Sequence, residues 1–288
     1  DILIGEVWIC SGQSNMEMTM KGNMGQPIDH SLETLLNAGN YRDRIRFITV
    51  PRTKGVKERA DFEGAKWEVS SPETTMDCSA AGYFFAKQLT ETLHLPVGLV
   101  INSWGGSRIE AWMTEETLAS VEGANIEAAK NPKLDTNSRL QCLYNIMLLP
   151  VKNYTARGFL WYQGESNVER PEQYRMLFPE LVRTWRRYFA DDNLPFYYVQ
   201  IAPYNHQKVN SAIFREVQLD CMRIIPNVGM VVTLDVGEAD IIHPARKEVV
   251  GERLAYWALN KVYGYSAFGC RGPEFRSMEI RDGHAFLK

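Results

Sequence analysis

The stretch "VWICSGQSNMEM", Val7 to Met18, begins with four apolar residues, breaks into Ser11-Gly12-Gln13-Ser14-Asn15 and turns apolar again at Met16. A continuous apolar run bounded by turn residues reads as a strand buried on both faces, and such strands belong to parallel sheets covered by helices. The polar turn then leaves the sheet at the strand's carboxyl end, where open parallel sheets place their ligands. Two readings stand side by side: an ordinary strand-to-helix loop, or a loop that presents a serine nucleophile.

Downstream the same alternation repeats. "AAGYFFAKQLTETLH" has helical spacing and is followed by the β-branched strand "PVGLVINS"; "ARGFLWYQ" is a third strand. In "RPEQYRMLFPELVRTWRRYF", Tyr174, Leu177, Phe178, Leu181, Trp185, Tyr188 and Phe189 share a helical face, and Pro179 is expected to kink or restart the helix. Then come the strand "PFYYVQIA", the helix "NSAIFREVQLDCMRII", the strand "VGMVVTLD" and a last helix from about Pro244. This order predicts an α/β fold, a parallel central sheet with helices on both faces. The tail "GPEFRSMEIRDGHAFLK" carries Asp282-Gly283 between two strand-like pieces, so a β-hairpin is expected there. We expect 1–265 to form the main domain and 266–288 a β extension or the start of a truncated further domain.

Composition narrows the function. The chain has 288 residues, 45% hydrophobic, with a net charge of −3, which lacks the basic excess of a nucleic-acid-binding surface. No apolar run is long enough to span a membrane, and no signal sequence is visible at the start. Cys10, Cys78, Cys142, Cys221 and Cys270 are scattered without zinc spacing, and no disulfide scaffold is expected.

Polar or Gly-rich chemistry follows each of four strands: "SGQSNM", "SWGGSRIEAW", "QGESN" and "DVGEADIIHP". Each alone has a bland explanation, since loop serines usually bond to their own backbone and a Gly-Gly pair is usually a turn. Together, on one rim, they supply what acyl transfer needs: a nucleophile, a base, a group orienting the base and donors for the oxyanion. Ser14 sits at the strand-to-helix turn, and Ser11 is read as a loop-bridging residue. His243 precedes a proline and is held extended, with Asp240 three residues away, or else Asp235, as its partner. Gly105 and Gly106 let backbone N–H groups approach an acyl group, and Gln163 adds a side-chain amide. Asp235, Glu238, Asp240 and His243 also raise a metal site, but no second histidine stands at ligand spacing, and no metal or other cofactor is expected. His30, His94, His206 and His284 are read as structural or surface residues.

"GQSNM", "WGGSRIEAW", "WYQGESN" and "DIIHP", in that order over roughly 5–264, resemble the sequence blocks of the SGNH-hydrolase superfamily, closest to the sialate O-acetylesterase group of carbohydrate acetylesterases. The resemblance implies a three-layer α/β/α flavodoxin-like SGNH-hydrolase fold. It also implies a triad of Ser14, His243 and Asp240, with the Ser14 N–H, the Gly106 N–H and the Gln163 side chain as oxyanion hole. Gly12-Gln13-Ser14-Asn15-Met16 departs from the GxSxG elbow of α/β-hydrolases. The third block lacks the usual GxND pattern, which leaves Gln163 and Asn167 as alternative donors. The implied reaction is ester hydrolysis through an acetyl-enzyme, and the implied partner is an acetylated glycan or small sugar. Acetylated sialic acids come first and acetylated xylan second; a broader esterase or lipase, or a non-catalytic sugar-binding domain, are the other readings. Arg108, Glu165, Asn167 and Trp112 are candidate substrate contacts, Arg108 as a bidentate partner for a sugar carboxylate. Arg108 and Glu165 are alternatively expected to pair with each other. Residues 114–139 are expected to be an insertion shaping the cleft. The family resemblance implies a secreted, periplasmic or lysosomal setting, and oligomeric state is not legible.

Overall fold

The computed structural model describes residues 2–23, 25–206 and 209–288. Seven strands form one sheet: β1 (Glu6–Gly12), β2 (Ile45–Thr49), β3 (Glu68–Val69), β4 (Val97–Ser103), β5 (Gly158–Tyr162), β6 (Phe196–Val199) and β7 (Val228–Val231). Their order is β3-β2-β4-β1-β5-β6-β7, all parallel except the short antiparallel pair β2–β3. The quoted stretch therefore provides the central strand, and the α/β expectation holds. β1 lies between β4 and β5, so the loops after all three leave the sheet side by side.

The pleat sends alternate side chains of each strand to opposite faces. Ile9, Val100, Phe159 and Trp161 pack under the helices Pro171–Tyr188 and Ser211–Ile224. Trp8, Cys10, Leu99, Leu160 and Tyr162 pack under the helices Ala80–Leu93 and Lys247–Lys261. These last two helices cross closely at Gly251, where a methyl group would lie 2.7 Å from Phe85 N and 2.8 Å from Ala81 O. On the other face Trp112, Trp161 and Trp185 meet edge to face, with centroids 5.4 to 6.0 Å apart.

The helix Pro171–Tyr188 continues through Pro179 instead of restarting there. An interior proline removes one backbone hydrogen bond; here the buried face of Tyr174, Leu177, Phe178, Leu181, Val182 and Trp185 on both sides of it holds the helix together. β2 and β3 were not expected, because Arg46 and Thr49 interrupt the apolar run of β2 and β3 has two residues. The tail forms the antiparallel pair β8 (Met278–Arg281) and β9 (His284–Leu287), turning at Asp282 and Gly283 with φ of 50° and 77°. Positive φ at both positions matches the primed turns that join hairpin strands. Residues 278–287 are exposed throughout. All five cysteines are free thiols, four of them buried.

Candidate active site

Ser14 is the first residue of the short helix Ser14–Glu17, directly beyond β1. The first backbone N–H groups of a helix have no partner within it, and among the described residues the Ser14 N–H has no acceptor in the chain. Neighbouring loops are stitched to this turn. Gln13 N donates to Tyr162 O (2.9 Å), and Gln13 Oε1 accepts from Gly164 N (3.2 Å) and Ser166 N (3.3 Å), which ties the "QGES" loop to the serine loop. Trp104 N donates to Gly12 O (3.0 Å), bringing the Gly-Gly turn alongside. A methyl group on Gly105 would lie 3.5 Å from Ser14 Cβ, so the Gly-Gly turn packs beside the serine. Gly105 N donates to Glu17, which pairs with Arg52, while Gly105 O accepts from Asn137 Nδ2 (2.7 Å). The 114–139 segment thus reaches the site through Asn137. Gly106, at φ 68°, keeps an N–H with no acceptor among the described residues.

The fourth loop is fastened by Asn15. Its Nδ2 donates to Ile242 O (3.0 Å), so the residue after Ser14 holds the residue before His243 across 227 positions of sequence. His243 Nδ1 lies 2.8 Å from Gln26 Oε1. An amide oxygen can only accept, so this contact puts the imidazole proton on Nδ1 and leaves Nε2 free to take one. Burial, and then the charge of Lys247, hold the half-buried His243 below the ordinary histidine range.

Several expectations need correction. Asp240 is exposed and makes no hydrogen bond or ion pair among the described residues; Gln26 occupies the position on His243 expected for it. Asp235 is engaged elsewhere, in a two-pronged pair with Arg253 (2.7 Å each) that lowers its carboxyl to about 2. Gln163 is wholly buried, and both hydrogens of its amide are spent, on Ser107 O (3.0 Å) and Asn167 Oδ1 (2.7 Å). Turning the amide would set its oxygen against those two acceptors, so Gln163 offers nothing to an oxyanion. Asn167 is also engaged, accepting from Ile109 N and donating one Nδ2 hydrogen to Glu110 Oε2, both at 3.0 Å. Trp112 is 0% exposed, its indole N–H on Ser107 Oγ, and is core rather than a sugar platform. Glu165 is 8% exposed and accepts from Asn15 Nδ2 (2.6 Å) instead of pairing with Arg108. Arg108 is half-buried in a small cleft with Glu110, Asn125, Ser138 and Arg170, and no acceptor for its guanidinium is found among the described residues.

Sequence reasoning missed Gln26, Glu17, Asn15 as a clamp, and Lys247. Lys247 is 0% exposed, donates to Asn15 Oδ1 (2.6 Å) and lies 5.4 Å above the Tyr162 ring centre. Burial pushes its ammonium down to about 7. Nothing in a lysine at a helix start announces this; only the position of Asn15 beside the nucleophile candidate pointed toward the clamp. The arrangement brings a hydroxyl, an imidazole with a free nitrogen and two unengaged backbone N–H groups to one rim, which suits attack on an ester carbonyl.

Residues 4–260 match the family described as carbohydrate esterase, sialic acid-specific acetylesterase. The chain is similar to the sialate O-acetylesterase of Homo sapiens, 30% identical over 309 residues that cover 97% of this chain and 58% of that protein. It is similar to that of Mus musculus, 30% identical over 342 residues covering 100% and 62%. It superposes on a carbohydrate acetylesterase from Xanthomonas citri with a TM-score of 0.86 at 32% identity, covering 100% of this chain and 63% of that one. A protein of Arabidopsis thaliana, at a TM-score of 0.56 and 21% identity, shares the fold. The chain thus spans less than two thirds of the length of the curated relatives it matches.

Proposed function

The chain belongs to the sialic acid-specific acetylesterase family of carbohydrate esterases, and from that premise we propose that it hydrolyses O-acetyl esters on carbohydrates, acetylated sialic acids first among them. The observation that carries the reading is the Asn15 clamp, which sets the His243 loop against the Ser14 turn. In the proposed reaction Ser14 Oγ attacks the acetyl carbonyl while His243 Nε2 takes its proton. The oxyanion receives the N–H groups of Ser14 and Gly106. The sugar hydroxyl leaves with the proton held by His243. Water, deprotonated by the same nitrogen, then attacks the acetyl-serine; the bond to Ser14 Oγ breaks, His243 returns the proton to Oγ, and acetate is released. Gln26 keeps Nδ1 protonated throughout, so that Nε2 is the nitrogen that cycles.

Arg108 supports the choice of an anionic sugar, being a half-buried guanidinium without an acceptor among the described residues. Acetylated xylan is the second reading, favoured by the Xanthomonas citri likeness, which concerns a carbohydrate acetylesterase without a stated sialic acid. We further take 1–265 as the esterase unit and 266–288 as an extension, supported by the separate, wholly exposed hairpin. No helix among the described residues is long and apolar enough to cross a membrane; a secreted, periplasmic or lysosomal setting is part of the proposal by family likeness.

The test is acetate release by the wild type and Ser14→Ala from an O-acetylated sialoside and from an acetylated xylo-oligosaccharide. Serine-dependent release from the sialoside is expected, with the folding of Ser14→Ala unchanged. Release from xylan alone would shift the substrate, and release that survives Ser14→Ala would remove Ser14 from the mechanism.

A further inference from the structure

Lys247 is out of place by ordinary rules. It is the first residue of the helix Lys247–Lys261, where the helix dipole disfavours a cation, and it is fully buried. A buried charge without a close counter-charge is costly. Among the described residues Glu165 is the other ionisable side chain bonded to Asn15, and burial pushes its carboxyl up. Among the described residues the two form no direct ion pair. Between them lies the Asn15 carboxamide, with Oδ1 on Lys247 Nζ and Nδ2 on Glu165 Oε1, both at 2.6 Å.

A pair serving stability alone would be in direct contact, since attraction falls with separation. The interposed amide gains something else. Ile242 O can only accept and the Lys247 ammonium can only donate, so with Lys247 charged the carboxamide has a single orientation, Nδ2 toward Ile242 and Glu165 and Oδ1 toward Lys247. In that orientation the second Nδ2 hydrogen points at Ile242 O. We propose that Lys247 and Glu165 are positioning residues for acyl transfer, acting from opposite ends of Asn15 to fix the His243 loop against the Ser14 turn. This rests on the reading of Ser14 and His243 given above.

The ammonium has a second effect. Lys247 is four residues beyond His243, and its charge opposes a second positive charge on the imidazole. The groups facing Lys247 are Glu165 beyond β5, Glu238 and His243 on the fourth loop, and the Tyr162 ring of β5; Glu165 and Glu238 favour its charged form. Glu165 in turn faces Tyr162 and Tyr174.

The test compares wild type, Lys247→Met/Glu165→Gln and Asn15→Ala by thermal unfolding, by kcat and KM for acetate release from an O-acetylated sialoside, and by the acid limb of kcat/KM. The double variant replaces both charges by neutral side chains of similar volume, a change that leaves no lone buried charge. Its midpoint should stay near that of the wild type, while kcat falls roughly a hundredfold, the effect of about 1 Å of misplacement, and KM moves little. Its acid limb should move to higher pH as the like charge beside His243 disappears. Should the double variant fail to fold, Asn15→Ala reads the same clamp, because it lets Lys247 and Glu165 meet directly; the same loss of kcat is expected. A folded variant with wild-type kcat and acid limb overturns the proposal. If the wild type releases no acetate and a fluorophosphonate does not label Ser14, the acyl-transfer reading falls and this proposal with it.

Discussion

Replacing Gln26 by alanine should cost more activity than neutralising Asp240. Gln26 Oε1 lies 2.8 Å from His243 Nδ1, whereas the Asp240 carboxylate is exposed and has no partner among the described residues. A hydrogen bond between two neutral groups contributes about 0.5–1.5 kcal/mol net, which converts to a loss of roughly two- to twelvefold in rate. Gln26→Ala should therefore lower kcat/KM within that range. Asp240→Asn, a surface change, should stay within about twofold, the equivalent of ±0.5 kcal/mol. A carboxylate that orients the imidazole in a serine triad carries a loss of roughly 10⁴ when converted to its amide, so the two assignments differ by orders of magnitude. The assay is initial-rate acetate release at pH 7.5 from an O-acetylated sialoside, with both variants checked for intact folding. A loss of a thousandfold or more in Asp240→Asn beside a silent Gln26→Ala would refute the reasoning and restore the aspartate.

His243 is held below its ordinary value of 6.5, and the reaction needs its neutral form, so kcat/KM should fall as pH drops through a midpoint below 6.5 and be flat just above it; a pH–rate profile with a midpoint at 7 or higher contradicts this. Gly251→Ala places a methyl 2.7 Å from Phe85 N and 2.8 Å from Ala81 O, backbone atoms that cannot swing aside; overpacking of this kind costs about 1–3 kcal/mol, measurable by urea denaturation with kcat unchanged in the folded fraction. Trp112→Ala removes a fully buried indole and should cost about 3–5 kcal/mol of stability; Trp112→Phe should leave KM for the sialoside unaltered, which a sugar platform would not.

The central strand, its helices and the four chemistry-bearing loops were legible because apolar runs and polar turns are local signals. β2 was not, since Arg46 and Thr49 give it the look of a partly wet segment. At the site, block-by-block reading brought Ser14, Gly106 and His243 to one rim, but hydrogen-bond partners are a property of the assembled fold. Gln163 and Asn167 are amides in the expected block, yet Gln163 spends both hydrogens on Ser107 O and Asn167 Oδ1, and Asn167 donates to Glu110. Asp240 stands three residues from His243 in sequence and has no partner among the described residues, while Gln26 arrives from 217 positions upstream. Sequence spacing measures what can meet; only packing decides what does.

The placement of β1 in the middle of the sheet also dictates when the site comes into being. Its two partners, β4 and β5, begin at residues 97 and 158, and no neighbouring segment pairs with it first. During synthesis the apolar strand that leads to Ser14 thus stays unpaired until β4 has been made, and is paired on one edge only until β5 follows. The clamp from Asn15 closes only when residue 242 arrives. Such distant pairing slows folding and leaves the early strand exposed to aggregation. Recovery of activity on refolding should coincide with the last structural phase, which makes turnover itself a reporter of complete assembly.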